Sequence, residues 1–130
     1  KVVESKTKTS EDFSSLIKLT VRTSEGKNVI SGTVFGNNLP RILRINKFYL
    51  EAIPEGHILL LTNVDRPGVI GRITSTLGSY GVNISRMQVG EEKEKKQNVI
   101  FLATNVSVND EILEKLRNLD DVFSVRRIEL

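Results

Sequence analysis

Four consecutive aliphatic residues, Ile58, Leu59, Leu60 and Leu61, lead into Asn63-Val64-Asp65-Arg66-Pro67-Gly68-Val69-Ile70-Gly71, and there the apolar residues change period. Before the stretch they are contiguous, as in a central strand buried on both faces. After it Val69, Ile70, Ile73 and Leu77 recur at helical spacing and make one buried stripe. The chain must therefore turn from strand to helix within a few residues. Pro67 suits the first helical position, which needs no N–H partner, and Asp65 can cap the helix. Gly68 and Gly71 leave room for a ligand or a second backbone. The helix is expected to run to about Tyr80 and to end on Gly81 as a left-handed cap. Its free N–H groups and dipole would favour a carboxylate. The same residues also make an ordinary strand-to-helix turn that needs no ligand.

Downstream, residues 83–89 read as a strand, 90–97 as a charged hairpin loop and 98–106 as the next strand, with Val99, Phe101, Ala103 and Asn105 on one face. Asn109 or Asp110 caps a second helix with a stripe of Ile112, Leu113, Leu116 and Leu119, and residues 122–130 form the last strand. The order strand-helix-strand-strand-helix-strand is the ferredoxin-like arrangement, with both helices on one face of an antiparallel sheet. The other face is expected to be solvated or covered by a partner. Upstream, residues 1–14 are polar with little periodicity and are expected to be loosely ordered or paired with missing segments. Strands are expected from Leu16, over 29–35, over 41–45 (Leu43 and Ile45 on one face, Arg44 on the other) and over 48–53. Pro54-Glu55-Gly56 marks the boundary. The fold class is α+β: an antiparallel β block, residues 1–54, followed by a ferredoxin-like βαββαβ domain, residues 55–130.

Composition closes several functional classes. With no cysteine, disulfides and thiolate chemistry are excluded. His57, the single histidine, has no metal-ligand partner at helical or strand spacing and no evident acid partner, so it reads as an exposed strand residue; neither a metal site nor a catalytic residue is expected. The net charge of +3 gathers partly at Lys93, Lys95 and Lys96, where Glu91, Glu92 and Glu94 interleave, so no nucleic-acid footprint forms. The central strands also lack the aromatic pairs that stack bases, Phe101 standing alone. Met87 reads as core filler. No run is long enough to span a membrane, and a cytoplasmic location is expected. A start at Lys1-Val2-Val3 reads as a piece of a longer protein.

The stretch from Asn63 to Gly71, with Gly81-Val82-Asn83-Ile84 and Met87-Gln88-Val89-Gly90, resembles the ACT domains of the D-3-phosphoglycerate dehydrogenase family. Ser31-Gly32-Thr33-Val34-Phe35-Gly36, Pro40-Arg41-Ile42 and Ile45-Asn46 resemble the end of that family's intervening domain, also called the allosteric substrate-binding domain. The resemblance covers nearly the whole chain. It implies a regulatory module that binds L-serine, the pathway's end product, and joins two chains as a homodimer, with a tetramer as the larger assembly of the parent. By the same resemblance Asp65 holds the effector's amino group, Asn63 stands at a variable polar position often occupied by His or Tyr, and Asn83 comes from the partner subunit. Pro67, Gly68, Val69 and Ile70 supply the helix start. Arg41 and Arg44 are candidates for an anion site in the upstream block. The parent would use NAD; this part carries no dinucleotide fingerprint and would not itself be an enzyme. The alternatives are the regulatory half of an iron–sulfur L-serine dehydratase and an ACT module that only dimerises.

Overall fold

The upstream strands pair one after another. In the computed structural model, which describes residues 2–7 as backbone and residues 16–92 and 94–130 in full, β1 (Val2–Thr7), β2 (Leu16–Thr23), β3 (Gly26–Phe35), β4 (Leu39–Ile45) and β5 (Phe48–Ala52) form an antiparallel meander. Lys1, residues 8–15 and Lys93 lie outside the described residues, and the expectations for them with them. Over Val2–Thr7 the expectation of a loosely ordered leader is corrected. The segment pairs with β2 from Val2 opposite Val21 to Thr7 opposite Leu16. The outer edge of β2 presents backbone donors and acceptors, and pairing with them requires no apolar pattern in the added strand.

In β4 the register slips at Leu43: Ser31 faces Arg44, but Gly32 faces Ile42 and Thr33 faces Arg41. Directly paired residues share a face. The bulge therefore places Arg41 and Arg44 on the same face as Ser31 and Thr33, which strict alternation would not do. Contacts divide the chain into two units, Lys1–Pro54 and Glu55–Leu130.

The second unit has the order expected: β6 (His57–Val64), α1 (Val69–Ser79), β7 (Ile84–Glu92), β8 (Gln97–Thr104), α2 (Asp110–Arg117) and β9 (Val122–Glu129). Its strands run β7-β8-β6-β9 across an antiparallel sheet. Leu59 and Leu61 of β6, Ile100 and Leu102 of β8 and Val125 of β9 pack with Val69, Ile73 and Leu77 of α1 and Ile112, Leu113 and Leu116 of α2. Ile70 and Leu119, expected in the stripes, are partly buried at the margin of this core. The opposite face, expected to be solvated or covered by a partner, holds Ile58, Val99, Phe101 and Ala103, all buried.

The end of α1 and the start of α2 follow their residues, but the start of α1 does not. Asn109 caps α2, its Oδ1 accepting from Ile112 N–H at 3.0 Å. Gly81 (φ 74°) closes α1 in a left-handed conformation, with Gly81 N–H donating to Gly78 O and Val82 N–H to Leu77 O, the paired bonds of a Schellman end. The start of α1 differs from the expectation. The helix begins at Val69, not at Pro67; Gly68 is its N-cap at φ 90°, and no side chain caps it.

Candidate functional site

Asn63, Asp65, Pro67, Gly68, Val69 and Ile70 meet where β6 ends and α1 begins. Backbone bonds pin the connection: Val64 N–H donates to Asp121 O at 2.8 Å and Asp65 N–H to Lys96 O at 2.7 Å. Asp65 is thereby held toward the sheet, where its Oδ1 accepts from Asn98 Nδ2 at 3.2 Å. This is the physical reason it does not cap α1. Asp65 has no ion-pair partner among the described residues. Asn63 is fully buried; its Nδ2 donates to Val64 O at 2.8 Å, and its Oδ1 has no partner.

The start of α1 is left open to an anion. It has no acidic residue in its first turn and a glycine where a capping side chain would stand. Val69 N–H turns back to Arg66 O at 3.3 Å. Arg66 and Arg72 both reach Asp121, at 3.2 and 3.5 Å, and the Arg72 guanidinium lies so close to Gly68 that a Cβ there would meet it at 3.2 Å. Unneutralised N–H groups and two arginines sharing one carboxylate make this corner favourable for a carboxylate ligand.

Asn83 is not part of this corner within one chain. It precedes Ile84, which pairs with Thr104 at the far end of β8, whereas Asn63 and Asp65 sit beside Gln97 and Asn98 at its start. Six residues of strand correspond to ~20 Å. Asn83 is exposed, and its N–H donates to Asn105 Oδ1 at 3.0 Å.

Arg41 and Arg44 share a face of the first unit with the buried Ser31 and Thr33 and with Lys18, which pairs with Ser31. Arg44 Nε donates to Asn46 O at 2.5 Å and its guanidinium lies 5.5 Å from the Tyr49 ring centroid; Arg41 donates to Pro40 O at 2.8 Å. Neither has an acidic partner among the described residues.

Two sequence readings are corrected. His57 has an acid partner: its Nδ1 lies 2.5 Å from Glu129 Oε2, and Ser107 Oγ donates to Glu129 Oε1 at 2.6 Å. The pair is 72 residues apart and is made by the direct register of β6 with β9. Met87 is 37% exposed, not core: it pairs with Leu102 but lies outside the cluster that the helices cover. Asn98, Arg72 and Asp121 were not singled out by sequence reasoning. Asn98 left a signal: it shares strand parity with Ile100 and Leu102, so it is a polar residue at a core-facing position.

With this geometry in place the relatives can be read. The ACT domain profile matches residues 57–121, and that of the D-3-phosphoglycerate dehydrogenase intervening domain matches residues 1–46. The chain belongs to the ACT domain family. It is 37% identical, over 99% of its length, to 24% of the D-3-phosphoglycerate dehydrogenase of Methanocaldococcus jannaschii. The namesake from Archaeoglobus fulgidus is 31% identical over 99% of this chain and 25% of its own; that from Bacillus subtilis is 36% identical over 69% and 17%. The chain resembles the C-terminal regulatory part of these proteins and spans about a quarter of the length of the first two. No described helix is long and apolar enough to cross a membrane.

Proposed function

We propose that this chain is the regulatory amino-acid-binding and dimerising part of a D-3-phosphoglycerate dehydrogenase, with residues 1–54 as the end of the intervening domain and residues 55–130 as the ACT module. L-serine is its effector and gives end-product feedback on a cytoplasmic, NAD-dependent parent that catalyses the first step of L-serine biosynthesis. The observation that carries this reading is the corner between β6 and α1. An unpaired carboxylate, Asp65, stands beside an uncapped helix start, so acceptors for an ammonium adjoin donors for a carboxylate. The family's intervening-domain match favours the dehydrogenase over a dehydratase half.

Asn83 enters this site from a second chain. Of the outer strands of the second unit, β9 has its Val125 carbonyl covered by Arg117, whose Nε and Nη2 donate to it at 3.2 and 3.0 Å. By the resemblance, two ACT sheets pair edge to edge across the dimer, and we take β7 as the strand that meets its counterpart. Two β7 strands running antiparallel bring Asn83 of one chain to the Gly90–Glu92 end of the other, beside Asp65.

Calorimetric titration tests the effector. L-serine binds more tightly than L-alanine by ~0.5–1.5 kcal/mol, the worth of one hydroxyl hydrogen bond; equal affinity, or no heat with either, counts against a serine site. Isolated mixed dimers of Asp65→Ala with Asn83→Ala test the sharing. If the residues act across chains, one of the two sites keeps both contacts and binds as in the unaltered dimer. If they act within one chain, both sites are damaged.

A second reading concerns the first unit. Arg41, Arg44 and Lys18 share one face with two buried hydroxyls, an arrangement suited to an oxyanion. Titration with inorganic phosphate, with Arg41→Ala and Arg44→Ala each weakening it, is the check.

A further inference from the structure

Two buried amide oxygens lack partners in the second unit, and the residues that carry them are paired across neighbouring strands. Asn63 on β6 and Asn98 on β8 are directly paired, at 0% and 3% exposure, on the face that carries the helices. Their nitrogens are committed, Asn63 Nδ2 to Val64 O and Asn98 Nδ2 to Asp65 Oδ1, and this fixes which atom of each amide is oxygen. The two oxygens Asn63 Oδ1 and Asn98 Oδ1 accept nothing. A buried acceptor without a donor costs ~1–3 kcal/mol, so two of them at facing positions next to a carboxylate require an explanation.

Resting on the effector reading above, we propose that Asn98 is a positioning residue of that site and that the Asn63–Asn98 pair, with Asp65, selects a ligand bearing a primary ammonium. Three acceptors occupy neighbouring positions at the strand ends, and a primary ammonium carries three donors. A single formal negative charge suits a monovalent cation and is too little for a divalent metal, which calls for several carboxylates. Asn98 acts through Asp65: its Nδ2 orients the carboxylate, and its Oδ1 takes the donor that Asp65 leaves. The uncapped start of α1 takes the carboxylate of the same molecule, which restricts the ligand to an unsubstituted α-amino acid.

The experiment combines titration with unfolding. Asn98→Leu removes the donor and the orphan acceptor at similar volume. L-serine affinity falls about tenfold, the worth of a hydrogen bond to a charged group, while the unfolding midpoint holds or rises because an unsatisfied buried group is gone. Should Asn98→Leu fail to fold, Asn98→Val, a residue suited to a strand, carries the same expectation. In an Asp65→Ala background the substitution at Asn98 adds less than about twofold, since the two act as one unit. N-methyl-L-serine, with one donor fewer, binds the unaltered chain more weakly than L-serine, and the gap narrows in Asn98→Leu. Unchanged affinity in Asn98→Leu with serine still bound overturns this proposal alone, as does additivity with Asp65→Ala or equal binding of the N-methyl ligand. Absence of serine binding to the unaltered chain removes the effector reading and this one together.

Discussion

The two units bury their residues in different ways. The second sets two amphipathic helices against one face of its sheet, and thirteen buried side chains, from five of its six elements and from the connections at Val82 and Val108, pack into one cluster. The first is strands alone. Its described buried hydrophobics are Val29, Ile45, Phe48 and Ala52, and two of its buried residues, Ser31 and Thr33, are polar. A helix stripe supplies three or four large side chains to one core, whereas each strand of a meander divides its residues between two faces. The difference also governs where chemistry can sit. In the second unit helix starts and strand ends converge on a corner with donors and acceptors pointing together. In the first, polar side chains are spread over a sheet face and are brought together by a bulge.

The largest expected effect tests the packing contrast. Ile73→Ala removes a fully buried side chain from between α1 and the sheet, and should cost ~2–5 kcal/mol. Val29→Ala, at 8% exposure in the first unit, should cost only ~1–2 kcal/mol at about 0.8 kcal/mol per buried methyl-sized group. Urea unfolding, with amide exchange resolved along the chain, measures both. Equal costs would break the contrast, and so would loss of protection in the first unit on changing Ile73.

The next effect compares the two candidate sites. Asp65→Ala should weaken L-serine by ~1.5–3 kcal/mol, the range for a hydrogen bond to a charged group. Arg41→Ala should leave serine affinity unchanged, since Arg41 lies in the other unit. The stability cost of Asp65→Ala comes from orphaning the buried Nδ2 of Asn98, not from a lost cap. Titrations of the two variants that came out alike would merge the sites and remove the distinction.

A smaller effect separates the two helix starts. Asn109→Ala should cost ~1 kcal/mol because Ile112 N–H loses its acceptor. Gly68→Ala probes the other start and acts through its positive φ and the nearby Arg72 rather than through capping. Thermal unfolding of Asn109→Ala within error of the unaltered chain would show that α2 is held by packing alone.

These contrasts also show what the sequence could convey. Strand and helix periods in residues 57–130 were legible because a 3.6-residue stripe and contiguous apolar strands are local signals, and Asn109 was legible because its cap is made within three residues. The start of α1 was not. Asp65 and Pro67 form a good local cap signature, yet Asp65 is bound across the sheet to Lys96 O and Asn98, and Gly68 turns left-handed before the helix begins. Tertiary bonds overrode the local preference. β1 was missed because its pairing depends on the edge of β2 and not on its own pattern. Arg41 and Arg44 share a face only through the bulge at Leu43, which no alternation predicts. Most of the corner's residues were legible as a motif, but Asn98 and the His57–Glu129 pair required the register.

The smallest effect concerns acid. Ser107, first, and then His57 hold the Glu129 carboxyl below its ordinary value of 4.5 by hydrogen bonding to the charged form, with the charges of His57 and Arg127 adding to this. A carboxyl whose pKa is lower in the folded than in the unfolded chain releases its proton more readily when folded. Between the two values the unfolded state binds more protons, so stability rises with pH there. The contribution of Glu129 is therefore present above about pH 4.5 and is lost as pH falls through the lowered folded value. Glu129→Gln retains an acceptor for Ser107 but carries no charge. Its unfolding midpoint should lie slightly below that of the unaltered chain near neutral pH, and the two curves should converge in acid. Because β6, β9 and the connection between β8 and α2 carry this cluster, the pH-dependent loss of amide protection should begin in the second unit, at the end of its sheet away from Asp65. Curves that stay parallel from neutral pH into acid would mean that exposure to water cancels the contribution of these bonds.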